Sequence, residues 1–380
     1  VRVAHVSLSV EYYPGVARQR ADEAVAARLL DGDAWDVFVV SGQEGYGRDG
    51  VRRIAPDVPG WLTGLFPPGR GGVGRIGMAG RALTLNLAPA RGAFNRVVDA
   101  LAGEYDVVLA RYYPGEIWAR PMRRRENVLF VHHTLAVREL GLESRMGALI
   151  ERVTGPRRQR GCLGVVGVTP EIARAEALRA GGLAWLSMPN AIHAQRVRLA
   201  GDVRGDALRL VMVAGRFRPW HGLDVVLARM AEYAGHEPFE LHLAGALDAD
   251  LRRLVIGTPR VAWHGILEPA PLDALLSTAD VCFGSMAMHR AGLAEASSIK
   301  VRDALARGLP VVAGCADPAF PADFPWYMPL ERDWAWGEAL ERARRARGAS
   351  RAEVAAAARE HIDYLPVMRR FLADLRGLVP

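Results

Sequence analysis

Cysteine, lysine and long apolar runs are all scarce in this chain, and each scarcity excludes something. There are three cysteines, Cys162, Cys282 and Cys315, far apart and set among small or apolar neighbours. An odd, scattered set makes neither a disulfide framework nor a zinc site, so the compartment it implies is the cytoplasm. No run of about 18 apolar residues occurs, which leaves out a membrane-spanning helix. The opening Val1-Arg2-Val3-Ala4-His5-Val6 reads as a strand, without the basic-then-apolar pattern of a signal peptide. Aromatic residues make up 7% of the chain and do not interleave with its basic clusters at 120–125, 157–160 and 342–351. A net charge of +7 therefore does not point to nucleic acid, because a base-stacking platform is missing. Of the 49 lysines and arginines only Lys300 is a lysine, a bias that a GC-rich genome produces without selection for function. The basic clusters are read as solvated helix faces, and weak peripheral attachment to an anionic inner membrane face stays open.

What is present is the composition of an ordinary folded protein, half hydrophobic and 24% charged. Its 380 residues exceed one ordinary domain and suggest two. Short apolar runs at 3–9, 35–40, 106–110, 127–131 and 164–168 read as buried strands. Helical spacing fills 18–30, 81–101 and 138–153 between them. A second series has strands at 208–214, 240–244, 260–263, 281–284 and 310–313, with helices at 222–233, 271–279 and 299–307. Alternation of this kind implies α/β architecture, two doubly wound parallel sheets in succession. Met188-Pro189-Asn190 interrupts the pattern, so the expected domains are 1–189 and 190–360. A terminal helix at 361–380 is expected to pack back on the body, near the first domain. Residues 55–80, with Pro56, Pro59, Pro67, Pro68, Trp61, Leu62 and Phe66, read as a long loop, either a lid or an insertion.

In doubly wound sheets a ligand sits beyond the carboxyl ends of the strands, often at helix N-termini. Two junctions in the second half fit this. In the first, Val213-Ala214-Gly215-Arg216 ends a strand and His221-Gly222 opens the next helix, a place for an anion held by Arg216. In the second, Glu295 lies in a loop and Ser297 or Ser298 can cap the helix carrying Ile299, Lys300 and Asp303. Lys300 and Asp303 are three apart and share a face. They are either a local salt bridge or a cation for a diphosphate beside an acceptor for hydroxyl hydrogens. The first half offers Phe130-Val131-His132-His133-Thr134 at a strand end. His132 is read as satisfying local groups.

Glu295-Ala-Ser-Ser-Ile-Lys-Val-Arg-Asp303, followed by Ala304-Leu305-Ala306-Arg307-Gly308-Leu309-Pro310, resembles the donor motif of the retaining GT4-like (glycosyltransferase group 1) family. Gly215-Arg216, His221-Gly222, Val168-Thr169-Pro170-Glu171-Ile172 and Met188-Pro189-Asn190 extend the likeness through both halves in order. The resemblance implies a GT-B fold, two Rossmann-like domains facing across a cleft. It also implies a retaining, hexosyltransferase-type transfer of sugar from a nucleotide-diphosphate sugar to an unidentified hydroxyl acceptor. His133, Glu295, Arg216 and Lys300 would be catalytic. Gly15, Arg216, His221, Ile266, Glu295, Ser297, Ser298, Ile299, Lys300 and Asp303 would bind the donor, with Glu295 at the sugar, Asp303 at the ribose and the Ile266 backbone at the base. No metal and no further cofactor is expected, since two cations and a helix terminus serve the diphosphate. The chain departs from the family with His221 where lysine is common, Asp303 where glutamate is usual, and the single glycine Gly15 in the first loop. Two other readings belong to the same architecture: a sugar-nucleotide epimerase, marked by interconversion of free donors, and a non-catalytic nucleotide-sugar-binding paralogue, marked by tight binding without turnover.

Overall fold

A computed structural model describes residues 1–9, 13–55, 88–114, 125–203 and 205–379. The long loop expected at 55–80 lies, apart from Ala55, outside the described residues, as do 81–87 of the expected helix and 120–124 of the first basic cluster. The chain divides into two units, Val1–Pro189 with Tyr364–Pro380, and Asn190–Asp363.

In the first unit the strands are β1 (Arg2–Leu8), β2 (Ala34–Val40), β3 (Arg52–Ile54), β4 (Val107–Arg111), β5 (Val128–His132), β6 (Gly164–Gly167) and β7 (Ala184–Ser187). They form one parallel sheet in the order β3-β2-β1-β4-β5-β6-β7. Its helices are α1 (Pro14–Ala27), α2 (Ala88–Leu101), α3 (Ala136–Glu143), α4 (Arg145–Gln159) and α5 (Pro170–Arg179). Val6, Val108, Ala110 and Phe130 point to one face and pack with Phe94 and Val98 of α2. The central strands are apolar on both faces because helices cover both. On the other face the exception is charged. His5 Nδ1 lies 2.6 Å from Glu23 Oε1, Trp35 Nε1 donates to the same oxygen at 2.9 Å, and Arg20 Nη1 stands 2.7 Å from Glu23 Oε2. Burial pushes the Glu23 carboxyl up, but Arg20 and His5 outweigh it and hold it down to about 2.

Two expected helices are broken by a side chain that takes a backbone amide. Residues 138–153 form not one helix but α3 and α4, because Ser144 is extended and its Oγ accepts from Gly147 N at 3.0 Å. The terminal segment breaks at Asp363, whose carboxylate accepts from Ala194 N at 3.0 Å. His361 and Ile362 thus end one helix, and the stripe of Met368, Phe371, Leu372 and Leu375 is buried on the next, which belongs to the first unit.

The second unit has β8 (Leu208–Arg216), β9 (Phe239–Ala246), β10 (Val261–Trp263), β11 (Val281–Phe283), β12 (Val311–Ala313) and β13 (Tyr327–Pro329), parallel and ordered β10-β9-β8-β11-β12-β13. Helices α6 (Leu223–Ala231), α7 (Ala249–Ile256), α8 (Pro269–Thr278), α9 (Ile299–Ala306), α10 (Trp336–Ala346) and α11 (Arg351–Ile362) follow; α12 (Tyr364–Arg376) is the terminal helix. Leu210, Met212, Leu241 and Leu243 face Trp334 and Trp336, whereas Val211, Cys282 and Val311 face Val301 and Leu305 of α9. The strand order reverses between β8 and β11. A crevice opens beyond the carboxyl ends of such a pair, because their connections leave in opposite directions.

Arg302 of α9 ties that helix to the loops around it. Its side chain is fully buried, with Nη2 donating to Asp317 Oδ1 at 2.9 Å, Nη1 to Oδ2, and Nε to Asn190 O at 2.9 Å. Asp317→Ala leaves this guanidinium buried without its anion and should cost about 3–5 kcal/mol, read by urea unfolding of the full chain. The double change Arg302→Met with Asp317→Leu should recover most of the loss. A cost below about 1 kcal/mol for the single change would contradict the assignment.

Candidate functional site

The last residues of β8 do not continue its ladder evenly. The register with β9 shifts between Val213 and Arg216, where Arg216 pairs with Ala246. A bulge turns the side chains that follow it, and the Arg216 guanidinium emerges exposed with no hydrogen bond or ion pair among the described residues. Gly245 on β9 permits the close approach: its φ is +139°, and a Cβ there would meet Ala214 O at 1.7 Å.

A single turn of 3₁₀ helix, Pro219–His221, leads to Gly222 and α6. Gly222 has φ +69°, and a Cβ would sit 2.8 Å from the Ala287 Cβ. Two bonds tie this turn to the segment leaving β11: Met286 N to His221 O at 3.0 Å and Ala287 N to Trp220 O at 3.1 Å. His221 is buried, and its Nδ1 accepts from Arg218 N at 2.8 Å. The ring proton therefore belongs on Nε2. That nitrogen faces Lys300 Nζ at 2.8 Å.

This contact brings together two residues 79 positions apart, and its chemistry is lopsided. An Nε2–H and an ammonium are both donors and cannot satisfy each other. Either Lys300 yields a proton and accepts, or an oxyanion takes both donors. Burial lowers Lys300 to about 8, with the Cys282 thiol opposing that slightly. Burial, then Lys300 and Arg218, lower His221 to about 3, so the imidazole is neutral near pH 7.

Lys300 stands in the first turn of α9, whose N-terminus carries no side-chain cap. Ser298 occupies the capping position without a side-chain bond. The Ser297 hydroxyl is taken by Asn190 N at 2.8 Å, and Asn190 Nδ2 donates to Ser297 O. The expectation that Ser297 or Ser298 caps the helix is thus corrected. Asn190 holds the loop, and the first amides of α9 stay available to an outside acceptor. Glu295 is half-buried, its backbone bridged to Ala316, with Ala296 N donating to Ala316 O at 2.9 Å.

The local salt bridge considered between Lys300 and Asp303 is replaced by two other pairings. Lys300 faces His221, and Asp303 Oδ2 accepts from Arg307 Nε at 2.8 Å while Arg307 Nη1 reaches Asp273 at 2.6 Å. Arg307 is one helical turn from Asp303, an i, i+4 spacing that lets the two side chains meet. Ile266 follows Gly265, which has φ +70°, and its side chain is exposed.

The first unit holds the other two candidates, described by themselves. Gly15 lies in the first turn of α1, exposed, and a Cβ there would meet nothing within 4 Å. His132 is accounted for locally: Nε2 lies 3.1 Å from Gln159 Oε1 and the ring stacks on Tyr112 at 4.3 Å. His133 follows β5, half-buried, with no hydrogen bond among the described residues. Burial first, then Arg111 and Arg20, holds it well below the usual imidazole range, so it is neutral. Among the described residues no three histidine, cysteine, aspartate or glutamate side chains converge as a metal site.

Residues 208–322 match the family model of glycosyl transferases group 1, and this segment contains both junctions just described. No curated protein matches the chain. Similar solved structures include AviGT4, a glycosyltransferase involved in avilamycin A biosynthesis, at 18% identity and TM-score 0.57 over 100% of this chain and 98% of that one. Another is sucrose-phosphate synthase of Thermosynechococcus elongatus, at 16% identity and TM-score 0.58 over 99% and 97%. A third is HepE of Anabaena in complex with UDP and glucose, at 15% identity and TM-score 0.57 over 99% of each chain. The chain thus has the GT-B fold of two Rossmann-like units, and its group 1 segment supports a glycosyltransferase.

Proposed function

We propose that the protein is a retaining, GT4-like glycosyltransferase that takes a sugar from a nucleotide-diphosphate donor and passes it to a hydroxyl acceptor. The observation that carries the reading is the His221–Lys300 pair at the uncapped end of α9: two donors that lack a common acceptor. A β-phosphate oxygen would take both, with Arg216 and the amides of Ile299 and Lys300 beside it. As the bond to the sugar breaks, negative charge grows on that phosphate, and fixed donors already in place stabilise it most where the charge is greatest. Glu295 would hold the sugar hydroxyls and Asp303 the ribose. The Ile266 backbone would meet the base, and His133 would act at the transferred sugar. Ser297 and Ser298 would shape the loop under the diphosphate, and Gly15, in the first turn of α1, would give the donor room. The cations make a metal unnecessary in this scheme.

The reading predicts a loss of about 10²–10³ in turnover for Lys300→Ala, measured as nucleoside diphosphate release from the accepted donor. Lys300→Arg should recover only part, because the planar fork cannot stand at the point where the ammonium meets His221. Full activity in Lys300→Ala would contradict the proposal.

The same lysine gives opposite pH dependences for binding and stability. Its pKa in the folded chain lies below the ordinary 10.5, so the folded form sheds its proton first. Diphosphate affinity should fall as pH rises through about 8, whereas stability should rise between about 8 and 10.5. Calorimetry with UDP and GDP, and urea unfolding over the same range, check the two arms. Lys300→Met should flatten both, and unchanged slopes in that variant would place the titration elsewhere.

Glu295 and Asp303 should separate by ligand. Asp303→Ala should weaken nucleoside diphosphate itself, and Asp303→Asn less so, since an amide oxygen still accepts. Glu295→Ala should leave nucleoside diphosphate binding near the parent value while damaging sugar-dependent turnover. Equal weakening by both alanine changes would overturn the division of roles.

A further inference from the structure

The helix α4 turns an unusual face to solvent. Met146, Leu149 and Val153 are 56%, 54% and 51% exposed, three large apolar side chains within two turns. Single exposed apolar residues need no explanation, but a contiguous strip does. At roughly 100° per residue these three lie side by side, with Arg145 and Arg152 along one flank and Arg157 along the other. All three arginines are exposed. The helix contains a single acid, Glu151, and it is fully buried on the opposite face, held by Arg158 and Arg179. Among the residues of α4 itself the exposed face is therefore apolar in the middle and cationic on both edges, with no acid between them.

The charge continues past the end of the helix. Arg160 is exposed, and Arg125 Nη1 donates to the carbonyls of Arg157, Arg158 and Arg160 at 3.4, 3.3 and 3.0 Å. Arg125, the described member of the first basic cluster, thus meets the second cluster at the end of the helix.

We propose that this face of α4 docks the protein on an anionic lipid surface, with Met146, Leu149 and Val153 entering the headgroup boundary and Arg145, Arg152, Arg157 and Arg160 meeting lipid phosphates. The complementarity selects this occupant. A helix with an apolar strip and basic borders lies in the plane of an interface, and each arginine near such a surface strengthens association about five-fold. A second copy of the chain would bring the same arginines against themselves, with no acid on the face to pair them. Membrane docking and sugar transfer stand or fall separately.

The test is flotation of the full chain with phosphatidylcholine vesicles, with and without phosphatidylglycerol. Binding is expected only where phosphatidylglycerol is present, and it should weaken as salt rises. Met146→Gln, Leu149→Gln and Val153→Gln together should lower the vesicle partition at least ten-fold. Glutamine is a good helix former, so melting should be little changed. Arg145→Gln with Arg152→Gln should lower partition on the order of twenty-fold. Leu254→Gln with Ile256→Gln, exposed apolar residues of the second unit, should leave it unchanged. Equal binding to both vesicles, binding to neither, or loss in the Leu254/Ile256 control would overturn the proposal. So would a dimer in sedimentation equilibrium that the triple glutamine variant dissolves, which would assign the face to a second copy.

Discussion

Two hydrogen-bond donors facing each other without an acceptor is the constraint on which the second unit's crevice depends. His221 has its Nδ1 committed to the Arg218 amide, so the proton sits on Nε2, 2.8 Å from the Lys300 nitrogen. A folded protein retains such an arrangement at a cost in stability, since burial alone disfavours the charge on Lys300. The arrangement makes physical sense as a receptor for an oxyanion that completes it. In the proposed scheme the neutral N–H of His221 would stand where the resembled family commonly has a lysine ammonium, and Lys300 would supply the full charge.

The rest of the unit holds this pair in place. Strand reversal between β8 and β11 opens the crevice, the bulge ends at the exposed Arg216, and Gly222 lets the turn press against Ala287. Below, Arg302 is clamped by Asp317 and bonded to Asn190 O, and Asn190 in turn holds both ends of Ser297. Ser298, in the capping position of α9, makes no side-chain cap bond, which leaves a second set of donors beside the first. Charge burial in the first unit works differently. There His5 and Arg20 both pair with the Glu23 carboxylate, opposite charges meeting inside the fold rather than two donors.

The alternation of apolar strands and amphipathic helices was legible because parallel strands covered on both faces must be apolar throughout. Runs such as Val37 to Val40 and Leu208 to Ala214 declare themselves. The short edge strands Arg52–Ile54, Ala184–Ser187 and Tyr327–Pro329 did not, since three or four half-buried residues carry no periodicity. Breaks at Ser144 and Asp363 were hidden because each depends on one side chain taking an amide, in the second case 169 positions away. At the site, the residue types and their order were visible in the motif from Glu295 to Asp303. The pairings were not: Lys300 was weighed against Asp303 three positions on, but its neighbour is His221 in a different element. Local spacing proposes i, i+3 partners, and only the sheet topology brings His221 within reach. Arg302, read as one arginine among many, became recognisable only through its burial against Asp317.

The proposed diphosphate site depends on the protonation state of His221 and on what its proton meets. Nitrogen-15 NMR of the imidazole tests this directly, with the chain free and then saturated with UDP, GDP or the matching nucleoside lacking phosphates. The account predicts a neutral ring with the proton on Nε2 at pH 7. That proton should shift strongly with the nucleoside diphosphate that binds and stay in place with the bare nucleoside. A ring protonated on both nitrogens in the free chain, or an Nε2 proton indifferent to every diphosphate, would contradict it.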